Sequence, residues 1–168
     1  PIDKDAFDEF LETLRRFVRE RLIPNEARVA EDDAIPDDIV EDMKSLGLFG
    51  LSIPEAYGGL GLSMEEEVRV IYEVAQASPA FRSYFATNVG IGSQGIVIDG
   101  TEEQKRRYLP RLASGEIIGS FALTEPDAGS DAGSLQTSAR REGDSYVLNG
   151  TKRFITNAPE AGIFTVMA

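Results

Sequence analysis

Along the first part of the chain, apolar residues recur at steps of three and four. Phe7, Phe10, Leu11, Leu14, Phe17, Val18 and Leu22 make one stripe of an amphipathic helix, and Pro24 just beyond it predicts a stop. A second short helix is predicted after Pro36, with Ile39, Val40, Met43 and Leu46 inward and Gly47 as its cap. Ser63 and Glu66 have the spacing of a capping box, in which two amides left over at a helix start are satisfied reciprocally. The helix they open carries Val68, Ile71, Val74 and Ala75. Residues 80–98 also read as helical, although Gly90, Gly92 and Gly95 weaken the pattern. Thr101 and Gln104 form a second capping box, and Pro110 is expected to bend or break the helix that follows.

After Gly115 the texture changes. Residues 117–123 are a short apolar run ending in a Gly/Ser/Asp-rich loop, the pattern of a strand feeding a turn. Tyr146-Val147-Leu148, then Asn149-Gly150, then residues 151–156 predict a β-hairpin, because Asn-Gly supplies the positive φ angles of a two-residue turn. Residues 163–168 predict another strand. The fold class is therefore α+β: an all-α domain over residues 1–117, then the first strands of a β domain over 118–168. So few strands leave edges without partners, and the β part is expected to be truncated at residue 168. The start at Pro1 without Met leads to an expectation of processing or excision.

Composition narrows the chemistry. The 168 residues carry 17 Lys plus Arg against 29 Asp plus Glu, a net charge of -12, and no basic stripe. Binding to a nucleic-acid phosphate backbone is disfavoured. With no Cys and no His, disulfides, thiolate nucleophiles, Cys/His zinc sites and a histidine base are all excluded. No apolar run reaches the length of a bilayer, and the N-terminus is acidic and amphipathic rather than signal-like, so a soluble protein without membrane partners is expected.

The segment Leu123-Thr124-Glu125-Pro126-Asp127-Ala128-Gly129-Ser130-Asp131 combines a strand end with small residues. Gly129 allows close backbone approach to a ligand, successive amides can form an anion-binding nest, and Thr124 and Ser130 add hydroxyls. An ordinary polar turn has the same composition, and composition alone leaves both readings open.

A family resemblance separates them. Residues 122–134, A-L-T-E-P-D-A-G-S-D-A-G-S, resemble the first of two motifs of acyl-CoA dehydrogenases, and residues 149–157, N-G-T-K-R-F-I-T-N, are similar to the second, N-G-x-K-x-W-I-T-N. Upstream, Pro54-Glu55-Ala56-Tyr57-Gly58-Gly59 resembles the family's P-E-x-Y-G-G loop, and residues 100–116 resemble its G-T-x-x-Q-K…Y-L-P…L-A-x-G-E stretch. Four blocks stand in the family's order and together span nearly the whole chain.

The resemblance implies a helical N-terminal domain followed by the start of a β-barrel-like middle domain, in an FAD-dependent enzyme of fatty-acid metabolism that dehydrogenates acyl-CoA thioesters between their α and β carbons. Residues matching Phe121, Leu123, Thr124, Gly129 and Ser130 lie along FAD, with the Thr124 hydroxyl on the flavin ring and Ser130 near the pyrophosphate and the CoA part of the substrate. Phe154, Ile155 and Thr156 lie against the flavin, with the Thr156 hydroxyl near N5. The aromatic at 154 is Trp in the family; Phe covers a flavin face but lacks the indole N–H. Tyr84, Thr87 and Ile91 fall where relatives line the acyl chain, although a plain core helix accounts for them equally. Glu125 is a tempting base, but the family's base is a Glu of the C-terminal helical domain, so no catalytic residue is assigned in this sequence and Glu125 is expected to hold its loop. Further implications are electron-transfer flavoprotein as acceptor, a homotetramer, and a bacterial cytoplasm or a mitochondrial matrix. An acyl-CoA oxidase of the same fold and a non-catalytic assembly subunit are the competing readings.

Overall fold

The N-terminal stripe folds as helix α1 (Lys4–Phe17), opened by Asp3, whose carboxylate accepts from the Asp5 amide. The structure is a computed structural model and describes residues 2–168. Pro24 does not stop the helical course. The chain runs through a π turn (Val18–Leu22) and a 3₁₀ turn (Ile23–Asn25) into α2 (Glu26–Asp32). This change of winding accommodates a residue that has no N–H and whose ring clashes inside a regular α-helix. Asn25 Nδ2 donates to the Arg21 carbonyl at 2.8 Å. Helix α3 (Asp37–Ser45) ends as its sequence predicts, with Gly47 in the left-handed region at φ 73°.

Both capping boxes form, at the start of α4 (Met64–Val74) and of α7 (Glu102–Ala113). On α4 the inward residues are Val70 and Val74, whereas Val68 lies on the exposed side with Met64 and Tyr72. The helix carries two apolar rows, and period alone does not say which one faces the core. Residues 80–98 resolve into α5 (Pro79–Val89) and α6 (Gln94–Asp99), parted at the glycines. Pro110 lies inside α7 without breaking it. It is exposed and close to the helix end, where a carbonyl deprived of its donor is open to water.

The core gathers Phe7, Leu11 and Leu14 of α1, Ile39 and Met43 of α3, Val70 and Val74 of α4, and Phe81 and Phe85 of α5 around Leu48, Phe49 and Leu51. A smaller cluster, Ile53, Leu109, Leu112 and Ala113, seats α7. Asn88 joins this helical body to the strands. Wholly buried, its amide donates to the carbonyls of Leu112 at 2.9 Å and Ile117 at 2.8 Å, and its oxygen accepts from the Gly119 amide at 2.7 Å. One side chain thus satisfies three backbone groups where α7 hands over to β1 (Ile118–Ala122).

Four strands follow the helices in two pairs. β1 runs parallel to β4 (Ala161–Val166), with Ser120 opposite Phe164. β2 (Ser138–Glu142) and β3 (Ser145–Asn149) are antiparallel, with Glu142 opposite Ser145. The hairpin therefore turns at Gly143-Asp144, where Gly143 takes φ 62°, and not at Asn149-Gly150. Gly150 is small for another reason: a Cβ there would lie 2.3 Å from Thr137 Oγ1. Residues 151–156 are not a strand. They return alongside β1, where Ser120 Oγ donates to the Thr156 carbonyl at 2.6 Å and the Arg153 amide to the Thr124 carbonyl at 2.8 Å.

Candidate functional site

The two motif segments meet along β1. The pairings of Ser120 with Thr156 and of Thr124 with Arg153 mean that residues 153–156 run antiparallel to residues 120–124. Thr124 and Thr156 mark opposite ends of this ribbon. Both hydroxyls, and that of Ser130, have no hydrogen-bond partner among the described residues. Ser130 lies beyond a turn that closes on itself, the Glu125 amide donating to the Ala128 carbonyl at 2.7 Å. That turn returns Gly129 to the side of Thr124, so close that a Cβ on Gly129 would meet the Thr124 methyl at 3.8 Å.

The remaining sequence-derived residues fall on the same ribbon. Phe121 sits in β1 opposite Thr165 and, like Leu123 and Ile155, is half-buried. Phe154 adopts φ 58° and is 78% exposed, its ring under the Arg153 guanidinium at 4.3 Å. A left-handed backbone at a bulky residue is uncommon and costs energy, and here it turns a large aromatic face outward. Beside it, Thr156 enters a cleft of about 230 Å³ lined by Thr87, Val89, Gly90 and Ile91 of the α5–α6 region, with Ile71 and Glu67 of α4. Of the residues expected near an acyl chain, Thr87 and Ile91 line this cleft. Tyr84 does not. It faces a larger cavity near α3 with Lys44 and Glu160, and burial pushes its phenol pKa up.

Two further motif residues fix the ribbon in place. Asn157, in the left-handed region at φ 59°, donates through Nδ2 to the carbonyls of Ser83 and Tyr84 and to Thr87 Oγ1, at 3.1, 3.0 and 2.8 Å. This clamps the Thr156 end onto α5. At the other end Lys152 Nζ donates to the Leu123 carbonyl at 2.9 Å and to Glu125 Oε1 at 2.8 Å. Glu125 also accepts from the amides of Gln136 and Thr137 and from the Thr137 hydroxyl. The Lys152 ammonium, then the Thr137 hydroxyl and the Gln136 amide, hold its carboxyl down to about 2. A carboxylate engaged by four donors is a loop anchor and a poor proton acceptor. Sequence reasoning quoted Lys152 and Asn157 within the motif but gave them no role, since their partners lie 27 to 74 residues away.

The donor set fits a flavin: free hydroxyls at either end of the ribbon, an outward aromatic, and an exposed turn of small residues at Gly129 and Ser130.

The family model for the N-terminal domain of acyl-CoA dehydrogenases matches residues 4–116, and that for the middle domain matches residues 120–168. The chain belongs to the acyl-CoA dehydrogenase family. It is 39% identical over 155 residues to an acyl-CoA dehydrogenase of Bacillus subtilis, covering 92% of this chain and 41% of that protein. It is 41% identical over 168 residues to a (2S)-methylsuccinyl-CoA dehydrogenase of Cereibacter sphaeroides, covering 97% and 30%. Among solved structures, a Mycobacterium smegmatis glutaryl-CoA dehydrogenase in complex with FADH2 superposes with a TM-score of 0.89 at 36% identity, covering 98% of this chain and 42% of that one. The chain thus spans about two-fifths or less of the length of these relatives.

Proposed function

We propose that this chain builds the FAD-contacting wall and one side of the acyl cleft of an enzyme that dehydrogenates acyl-CoA thioesters between the α and β carbons. The helical domain takes residues 1–117 and the flavin-contacting β segment residues 118–168. The observation that carries the reading is the ribbon of β1 and residues 153–156, which presents the unengaged Thr124 and Thr156 hydroxyls, with Thr156 lining a cleft of about 230 Å³ against α4 and α5. Flavin chemistry supplies the acceptor for a hydride from the acyl β carbon. The chain's own part is placement. Thr124 and Thr156 donate to the ring, Phe121, Leu123, Phe154 and Ile155 exclude water along it, and Gly129 and Ser130 receive the pyrophosphate and the CoA end of the substrate. Hydrogen bonds to ring positions tune a flavin's demand for electrons, which is the protein's main control over such a cofactor.

Electron-transfer flavoprotein as acceptor, a homotetrameric assembly, and a bacterial cytoplasm or mitochondrial matrix complete the proposal. Among the described residues no helix is long and apolar enough to cross a membrane.

Thr156→Ala tests the role at N5. In the full-length protein it should slow flavin reduction roughly tenfold, the worth of one hydrogen bond, in stopped-flow absorbance. Acyl-CoA binding should change little. Weakened binding with an unchanged reduction rate contradicts the assignment.

A further inference from the structure

Arg153 and Phe154 are consecutive, yet their side chains stack on the same side of the chain. In extended backbone, successive side chains point to opposite faces. The left-handed backbone of Phe154, at φ 58°, breaks that alternation and sets its ring under the Arg153 guanidinium, 4.3 Å from the centroid. The neighbouring Lys152 is engaged by Glu125 and the Leu123 carbonyl, whereas no carboxylate pairs with Arg153 among the described residues. The Arg153 amide donates to the Thr124 carbonyl, so the stack is tied to the ribbon by its backbone.

An unfavourable backbone at a bulky residue persists only where its surroundings hold it, and such outliers cluster at working sites. The guanidinium takes one face of the ring, attracted by the negative charge of the π system. With Phe154 78% exposed, the opposite face is free for a flat ligand. A heterocycle stacked there lies about 8 Å from the guanidinium, the 4.3 Å ring contact plus a stacking distance of ~3.5 Å. Arginine keeps its charge at every working pH. A hydride taken up by a neutral flavin ring brings two electrons and one proton, and leaves one net negative charge on the ring. A fixed cation nearby therefore favours the reduced form over the oxidised one. At the effective dielectric of a protein surface, screened by salt, the shift in that equilibrium is on the order of tenfold.

We propose that Arg153 is a positioning residue which, held on Phe154, places a permanent positive charge behind the flavin and raises its midpoint potential. The inference rests on the flavin-site reading above and adds control of the cofactor's potential. Arg153 acts through the Phe154 ring and touches neither the substrate nor the reacting atoms.

The test is the two-electron midpoint potential of the full-length FAD-loaded protein, measured by anaerobic equilibration with a reference dye and without any acyl-CoA. Arg153→Gln should shift the equilibrium about tenfold towards oxidised flavin, a fall of about 30 mV. Arg153→Lys keeps the charge and should retain most of the wild-type value. The gap between wild type and Arg153→Gln should shrink at high salt. In a Phe154→Leu background, Arg153→Gln should have much less effect, because the guanidinium has already lost the ring that holds it. An unchanged potential in Arg153→Gln overturns the proposal. So do equal falls in Arg153→Gln and Arg153→Lys, which would mean packing rather than charge, and an undiminished fall in the Phe154→Leu background. Each of these results leaves flavin bound and the flavin-site reading intact. Wild-type protein that takes up no FAD defeats that reading and this inference with it.

Discussion

Asn88→Ala should lower the stability of the full-length protein by about 3 kcal/mol, because three buried backbone groups lose their only side-chain partner at once. For a domain of this size that corresponds to a fall in Tm of roughly 5–10 °C. The side chain is small, so little of the cost is cavity. Most comes from the Ile117 carbonyl and the Gly119 amide, which lose this partner at the junction between helices and strands, since the Leu112 carbonyl still accepts from the Gly115 amide at 3.1 Å. The effect should be local as well as global. Hydrogen exchange at Gly119 should rise more than at core amides of α1, since β1 loses its tie to α5. Asn149→Ala on the exposed hairpin provides the contrast and should leave Tm nearly unchanged. A Tm for Asn88→Ala equal to wild type would mean that Asn88 does not hold the junction.

The second large effect concerns Glu125. Its carboxyl titrates near 2 in the folded protein and near 4.5 when unfolded, so the unfolded state binds more protons over that interval. The stabilisation from its contacts is therefore complete above about pH 4.5 and is lost as pH falls towards 2. Glu125→Gln should lower Tm clearly at pH 7, because Lys152 keeps its charge with 13% of its side chain exposed and loses its counter-ion. The gap between mutant and wild type should narrow as pH falls through the same interval. It should also loosen cofactor binding, since Lys152 and Glu125 together register the Thr124 end of the ribbon. A Tm difference that does not vary with pH would show that charge is not what anchors the loop.

Much of this was legible from local pattern. The stripe from Phe7 to Leu22, the two capping boxes and Gly47 obey rules that act within one or two helical turns, and the structure follows them. The failures have a common origin in tertiary competition. β2 reads Ser138-Ala139-Arg140-Arg141-Glu142, all exposed, so no apolar alternation announces it. Without β2, the pairing of Tyr146-Val147-Leu148 went to the wrong neighbour, although Gly143-Asp144 offered a two-residue turn signal. Asn149-Gly150 looked like the better turn, but Gly150 is required by the close passage of Thr137. At the site, motif resemblance singled out the residues proposed to face the flavin. It did not show the side chains that hold them, Asn88, Asn157 and Lys152, because their partners are distant in sequence.

The most direct test of the flavin site is optical. The full-length protein, reconstituted with FAD and freed of excess cofactor, should be yellow, with one flavin per chain, and its absorbance near 450 nm should bleach under anaerobic addition of a suitable acyl-CoA. Protein that stays colourless after reconstitution, or retains flavin that no acyl-CoA bleaches, would contradict the account.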